Sequence, residues 1–543
     1  MKNVILRGFT AFSLGTAVLA VMPSCTKDLD RNPVYDPGVD TVYKDAMGYK
    51  QALAKVYGGF ALTGSQGPSG APDIQNIDEG TSDYIRQLWS AQELTTDEAV
   101  VAWGDVGIQD WHNMNWTSAN PLIRGLYSRI FYEITLCNGF LQQATDDKLS
   151  ARGITGDDLA KVKAYRAEVR FVRALSYYHA LDLFGNVPFA TESFAIGGFT
   201  APPAISRANL FAFIETELKA IEPELVAPRQ NEYGRADKAA AWTLLARLYL
   251  NAREVYTPGT DRYTDCATYA RKVIDAGYSL TGYAYRKNFL ADNQTSPEII
   301  YSVPFDGKAT QSYGGTTFLV HGSVSGTADA NWRPALYGIG GGWGGMRATS
   351  RLFDQFTDTA ADRRGRFQTG GQTKEITSLT DFKFGFVPIK FKNITSNNVA
   401  GSDGTFVDTD FPMFRLADVN LMYAEAVSRG GTGDATLALK CVNDIRDRAY
   451  VNPVGGTTGR VTTADLTSNN FQFFLNERSR ELHWEGYRRT DLIRFGQFTG
   501  STYLWPWKGG VAAGTSVSAY RNLFPIPSSD LGVNANLTQN PGY

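Results

Sequence analysis

Apolar positions return every three or four residues through two long stretches in the first third of the chain. They are NPLIRGLYSRIFYEITLCNGFLQQA (120–144) and DDLAKVKAYRAEVRFVRALSYYHALDLFG (157–185). That spacing keeps one helix face apolar. Pro121 suits a helix start and Gly185 a helix stop. Residues 41–60 predict a further helix. Two helix pairs follow: 236–256 with 261–277, and 414–431 with 433–449. In each pair the first helix mixes small residues with Leu and Tyr, and the second repeats Ala/Tyr or Leu/Ala at helical spacing. Small residues let two helices approach closely while large ones fill the groove between them. The pairs resemble tetratricopeptide-type hairpins that are degenerate and not in strict tandem; generic antiparallel pairs are the plainer alternative.

Other segments carry neither period. GSQGPSGAPDIQNIDEG (64–80) is dense in Gly and Pro and reads as loop. TTDEAVVAWGDVGIQDWHNMNW (95–116) packs Trp103, Trp111 and Trp116 among glycines and aspartates. Residues 301–412 are rich in Gly, Thr, Phe and Trp, including SYGGTTFLVHGS and YGIGGGWGGMR. A long irregular region inside a compact protein is usually functional. The chain therefore reads as mostly α: a helical scaffold carrying a loop-rich face that includes about 64–118 and 301–412.

Composition sharpens this. Aromatic residues make up 13% of the 543, with 27 Tyr and 10 Trp, and both types serve as contact residues because each joins an apolar face to a polar handle. A net charge of −2 without long runs of one sign argues against a nucleic-acid partner. At the start, Lys2 and Arg7 precede an apolar run from Phe9 to Met22 and then PSCTKDLD. This is a secretory signal ending at Cys25 with small Ser24 before it, the arrangement of a bacterial lipoprotein. An incidental cysteine near a conventional cleavage site is the alternative. The reading gives a signal peptide at 1–24, lipidated Cys25 with a tether to residue 40, and one domain over 41–543. Cys137, Cys266 and Cys441 are far apart in helical patterns, so buried free thiols are expected rather than disulfides or zinc. His112, His179, His321 and His483 show no metal-binding spacing, and no cofactor or metal is expected.

Two C-terminal segments carry a family resemblance. NERSRELHWEGYRRTDLIRFG (476–496) and LFPIPSSDLGVNANLTQNPGY (523–543) resemble signature and closing motifs of SusD/RagB outer-membrane lipoproteins of Bacteroidetes glycan-uptake systems. YGRADKAAAWTLLARLYLNA and AEVRFVRALSYYHALDLFG match other family segments, so the resemblance spans essentially the whole chain. LTGSQGPSGAPDIQNIDEG, ELTTDEAVVAW, SYGGTTFLV and STYLWPWKGG resemble the starch-binding branch. The resemblance implies a SusD-like right-handed superhelix of tetratricopeptide-type helix pairs bearing a loop-rich, partly irregular glycan-binding face. It also implies a SusC-like TonB-dependent transporter as partner and sugar binding without cleavage. The alternating Arg and Glu of 476–496 are read as ion pairs at spacings of three and four that fix packing.

The starch-binding branch holds sugar on an arc of aromatic rings flanked by polar groups. A pyranose offers an apolar C–H face for stacking and a rim of hydroxyls for hydrogen bonds. The resemblance assigns ligand-binding roles to Asp78 (NIDEG), Arg86 (SDYIRQ), Trp103 (VVAW), Tyr313 (SYGG) and Trp343 (GGGWGG). Two positions depart from the branch: Val101 replaces a stacking tryptophan and Val106 an asparagine. Trp111, Asn113 and Trp116 are further candidate contacts that would refill those vacancies. The calcium-holding loop of some members corresponds here to ADNQTSPEII, which has little acidic density, so no metal is expected there. The functional expectation is capture of a starch-type α-glucan for import. The alternatives are the same role for a different glycan or a peptide, and, remotely, a glycoside hydrolase using a carboxylate pair from Asp78, Glu79, Asp105 and Asp110.

Overall fold

The computed structural model describes residues 38–194, 200–326, 332–451 and 457–543. The signal segment, Cys25 and the tether as far as residue 37 lie outside them. A short helical turn begins at Val39, inside the stretch read as tether.

Helices dominate. In chain order they include α1 (Ala46–Gly58), α2 (Tyr84–Glu93), α3 (Pro121–Gln143), α4 (Gly156–Leu183), α5 (Arg207–Ile221), α6 (Lys238–Leu250) and α7 (Tyr263–Ile274). After the long insert come α8 (Gly315–Gly322), α9 (Leu416–Ser428), α10 (Ala435–Ala449), α11 (Thr463–Leu482) and α12 (Arg488–Arg494). Their ends follow local chemistry. Asn120 accepts from the Leu122 and Ile123 amides ahead of Pro121, and Asp237 and Asp434 cap α6 and α10 in the same way.

The two predicted hairpins stack directly on each other. α6 packs on α7, α7 on α9 and α9 on α10, although 141 residues, 275 to 415, separate α7 from α9. Ala239, Ala240, Ala241, Ala267, Ala270 and Ala417 are at most 1% exposed and lie in this array. Earlier in the chain α3 and α1 pack on α4, which packs on α5. Cys137, Cys266 and Cys441 are buried free thiols.

The insert between α7 and α9 makes no large sheet. Among the described residues strands occur only as two-stranded ribbons. Those used below are β1 (Ala99–Val101) against β3 (Met346–Ala348), β2 (Ile299–Val303) against β6 (Phe411–Arg415), and β4 (Phe367–Gln368) against β5 (Val387–Pro388), all antiparallel.

The charged signature stretch is structural, but its partners are mostly not where spacing placed them. Arg480–Glu477 and Arg494–Asp491 are local pairs. The others span the chain: Arg478 to Asp418 at 2.7 Å, Arg488 to Asp97 at 2.7 Å, Arg494 to Glu425 at 3.0 Å. Arg415, fully buried at the end of β6, donates to Glu298, Glu481 and Glu485 at 2.6–2.7 Å. Burial opposes the charge on Arg415, but the three carboxylates outweigh it and hold its pKa above the ordinary value. This network bolts α11 and α12 to β6, to α9 and to the segment that leads into β1.

Candidate functional site

The β1/β3 ribbon sets the site. Val101 pairs with Met346, and the ladder runs on as the Ala102 amide donates to the Gly345 carbonyl at 2.9 Å. Two residues past β1 stands Trp103, and three before β3 stands Trp343, so antiparallel register delivers both rings to one end of the ribbon. The Trp103 indole N–H donates to the Trp343 carbonyl at 3.2 Å, and the ring centroids lie 6.4 Å apart at 50°. Gly345 makes the approach feasible: a Cβ there would lie 2.3 Å from the Trp103 ring. The ribbon's root is fixed from behind, where Arg488 grips Asp97 through two 2.7 Å bonds and the Tyr503 hydroxyl adds a third at 2.6 Å. Burial would raise the Asp97 carboxyl, but Arg488 overrides it and holds it below its usual value.

Tyr313 adds the third ring, 6.3 Å from Trp343 at 54°. It precedes α8, whose first amide, from Gly315, donates to Asp83 at 2.8 Å; the same carboxylate caps α2 through the Arg86 amide at 2.7 Å. Behind Tyr313 sits Gly80, where a Cβ would meet the tyrosine Cβ at 2.5 Å. Trp343 is held by its own amide, which donates to the His321 carbonyl at 2.8 Å, and by the His321 ring stacked on it at 4.9 Å and 23°. His321 Nδ1 donates to the Gly341 carbonyl at 2.6 Å, which fixes the tautomer.

Arg86 joins the rings. Its guanidinium lies 5.9 Å from the Trp103 ring and 4.7 Å from Phe318, and donates to the Tyr313 carbonyl at 3.4 Å. Burial lowers its pKa, while Asp78, Asp83, Asp105 and Glu79 pull the other way. Asp78 is exposed and accepts from the Thr81 amide and hydroxyl at 3.1 and 3.0 Å, which shapes the turn that carries Gly80. Trp103, Tyr313, Trp343 and Arg86 are each only partly buried. The arrangement is an open row of tilted rings with a cation behind it. Stacking on apolar sugar faces and donating to hydroxyls is the chemistry it supports.

The candidate residues thus divide. Trp103, Tyr313, Trp343 and Arg86 come together, with Asp78 at the neighbouring turn. Trp111 and Trp116 do not join them, and their proposed ligand contact is corrected by burial: both are 0% exposed. Trp111 packs edge-on against Phe524 at 5.4 Å, and the Trp116 indole donates to the Tyr543 hydroxyl at 2.6 Å. They pin the C-terminal segment to the scaffold, so no ring face is open. Asn113 lies against the turn at Gly510 rather than against the rings. Val101 is fully buried in β1, whereas Val106 is 79% exposed on the loop beyond Trp103.

Sequence reading gave Phe318 and His321 no part in the site, and weighed Glu79 only as one of a remote catalytic carboxylate pair. Phe318 and His321 lie one helical turn apart on α8, within the quoted SYGGTTFLVHGS, and their spacing was the available signal. Glu79 is 7% exposed, and among the described residues neither carboxylate oxygen has a partner. Burial, then Asp83 and Asp78, raise its pKa to about 7. No pattern in the sequence marks that.

The SusD family model matches residues 368–543. The chain is 35% identical to the starch-binding protein SusD of Bacteroides thetaiotaomicron, with 100% of each chain covered. It is 26% identical to the SusD-like protein P25 of Formosa agariphila, covering 100% of this chain and 99% of the other. Among solved structures, a SusD homolog from Bacteroides thetaiotaomicron superposes with a TM-score of 0.70 at 20% identity, covering 92% and 97% of the two chains. Surface glycan-binding protein A from the same species, in complex with laminarihexaose, gives 0.65 at 20% identity over 91% and 99%. With 35% identity over the full length of a SusD protein and a helix array that superposes on SusD-family structures, this chain belongs to the SusD family.

Proposed function

We propose that this protein is a cell-surface lipoprotein that captures a starch-type α-glucan and delivers it to a SusC-like TonB-dependent transporter. The observation that carries the reading is the row Trp103, Trp343, Tyr313, with successive centroids 6.4 and 6.3 Å apart and successive tilts of 50° and 54°. Rings set at angles to one another rather than in one plane suit a ligand whose own surface curves, as an α-glucan helix does. The full-length relative is named for starch binding. Cys25 supplies the lipid anchor to the outer membrane in this reading, with the ring face turned outward. Among the described residues no helix is long and apolar enough to cross a membrane.

The protein acts as a binder rather than a hydrolase in this reading, since the row of rings backed by Arg86 supplies stacking and hydrogen bonding, and the full-length relative is named for binding. A second reading keeps the uptake role and changes the glycan or substitutes a peptide. Exposed Val106 and buried Val101, where the starch-binding branch has an amide and a ring, favour it.

The test is calorimetric titration of residues 26–543 with maltoheptaose and cyclic α-glucans beside laminarihexaose, cellohexaose, a fructan and a xylan oligosaccharide. Binding confined to α-glucans supports the proposal. Binding confined to another glycan replaces it with the second reading. Release of reducing ends from soluble glucan would overturn the non-catalytic role.

A further inference from the structure

Away from the ring face, a cavity of about 510 Å³ opens between the short helix Tyr285–Phe289, the turn at 363–366 and the segment after β5. Its charge is one-sided. Arg286, Arg363, Arg366 and Lys392 stand at its rim, Arg364, Lys390 and Arg448 at its floor, and no acidic side chain lines it. Phe289, Leu290 and Ile389 supply apolar wall.

The floor cations are spoken for. Arg364 pairs with Asp362, Glu477 and Glu481, Lys390 with Glu485, and Arg448 with Glu298 and Glu481. Those carboxylates are shared with Arg415, Arg446 and Arg480, so among the described residues six cations already meet five carboxylates beneath the cavity. None is left for the rim. Arg286, Arg363 and Arg366 are exposed, and no ion pair among the described residues includes them. Lys392 donates to the Leu336 carbonyl at 3.1 Å rather than to a carboxylate. The mutual repulsion registers inside: burial, then Arg286, lowers the pKa of Lys392, and burial brings Lys390 to about 8 with Arg415 adding to it against the pull of Glu485.

Backbone hydrogen bonds tie the three walls together. The Lys392 amide donates to Phe289, the Arg363 amide to Ala449 and the Ile389 amide to Arg366, at 2.8–3.0 Å. The segments that carry the cations are therefore fixed relative to one another, which lowers part of the ordering cost of binding an anion. Guanidinium forks match planar or tetrahedral oxyanions through paired donors.

We propose that this cavity is an anion site for a sugar carrying two or more phosphate groups, separate from the ring face. The volume suits such a ligand: small-molecule sites span ~300–1,000 Å³, far more than one bare phosphate fills. Rim cations on three separate segments ask for more than one anionic group, and the apolar wall accommodates the sugar body between them. The source is either a free phosphosugar or the phosphorylated sugar headgroup of a membrane glycolipid.

The experiment titrates residues 26–543 with fructose 1,6-bisphosphate in 50 mM salt, and sediments the protein with vesicles carrying a diphosphorylated glucosamine glycolipid. The variant is R363E/R366E, both exposed; K161E/K440E, an equal charge change on exposed lysines elsewhere, is the control. Expected is saturable binding that weakens at least tenfold in R363E/R366E and at 300 mM salt, is unchanged in K161E/K440E, and leaves glycan binding at the rings intact. Vesicle binding displaced by the bisphosphate identifies the headgroup as source; bisphosphate binding without vesicle binding identifies the free sugar. Absence of bisphosphate binding at low salt, or equal weakening in both variants, overturns the site.

Discussion

Removing the Trp343 side chain tests the ring row at its centre. Its indole stands between Trp103 at 6.4 Å and Tyr313 at 6.3 Å, so W343A splits a continuous platform into two isolated rings. A sugar stacked there covers one indole face, roughly a third of the ~150–250 Å² an aromatic side chain buries when fully enclosed. At ~25 cal/mol per Å² that is about 1.2–2 kcal/mol, or about an 8- to 30-fold rise in Kd. The backbone survives: the residue 343 amide still reaches the His321 carbonyl, and its carbonyl still accepts from Trp103. Because the indole is only partly buried, the melting temperature should move little. Titration of W343A, Y313A and the double variant with maltoheptaose reads the effect, and the double variant should lose less than the sum because both rings face one ligand. Wild-type affinity in W343A, with an unchanged melting curve, would refute the assignment of these rings to ligand.

Other outcomes follow from the same structure. G345A should weaken glycan binding about as much as W103A, because the new methyl takes the place of the Trp103 ring; intact affinity, read by calorimetry, would show that the indole position is irrelevant. R415A should destabilise the fold by ~3–5 kcal/mol in urea denaturation, since it removes the buried cation that Glu298, Glu481 and Glu485 share and leaves four carboxylate bonds unmade in the interior around their remaining partners Arg448, Arg364 and Lys390; a loss under 1 kcal/mol would contradict the network's role. Glu79 is buried with its pKa raised from 4.5 to about 7, so the folded state keeps a proton that the unfolded chain releases. Its contribution to stability is therefore present below pH 4.5 and falls as pH rises to about 7, by up to ~3 kcal/mol. E79Q should gain on wild type across that window, seen as denaturation midpoints at pH 5 and pH 8 that differ less in the variant.

Much of the architecture was legible in residue order. Helical period, Pro121, Gly185 and the small-residue pairs mark the scaffold because they act within one or two turns, where sequence distance and spatial distance agree. Family-like motifs carried Trp103, Tyr313 and Trp343 to their assignment. What spacing could not deliver was anything that depends on which distant segment comes alongside. Trp111 and Trp116 read like Trp103, and only the arrival of Phe524 and Tyr543 turns them into core. Arg478 and Arg488 have acids at helical spacing yet reach for Asp418 and Asp97, and Arg494 adds Glu425 to its local Asp491, since a buried cation needs a carboxylate that is buried with it. The raised pKa of Glu79 and the unbalanced charge of the cavity near Arg363 are sums over neighbours from several segments. Periodic burial is a local property and the sequence by itself determined it; exposure, pairing and electrostatic balance are properties of the assembled neighbourhood, and only the tertiary structure decided them.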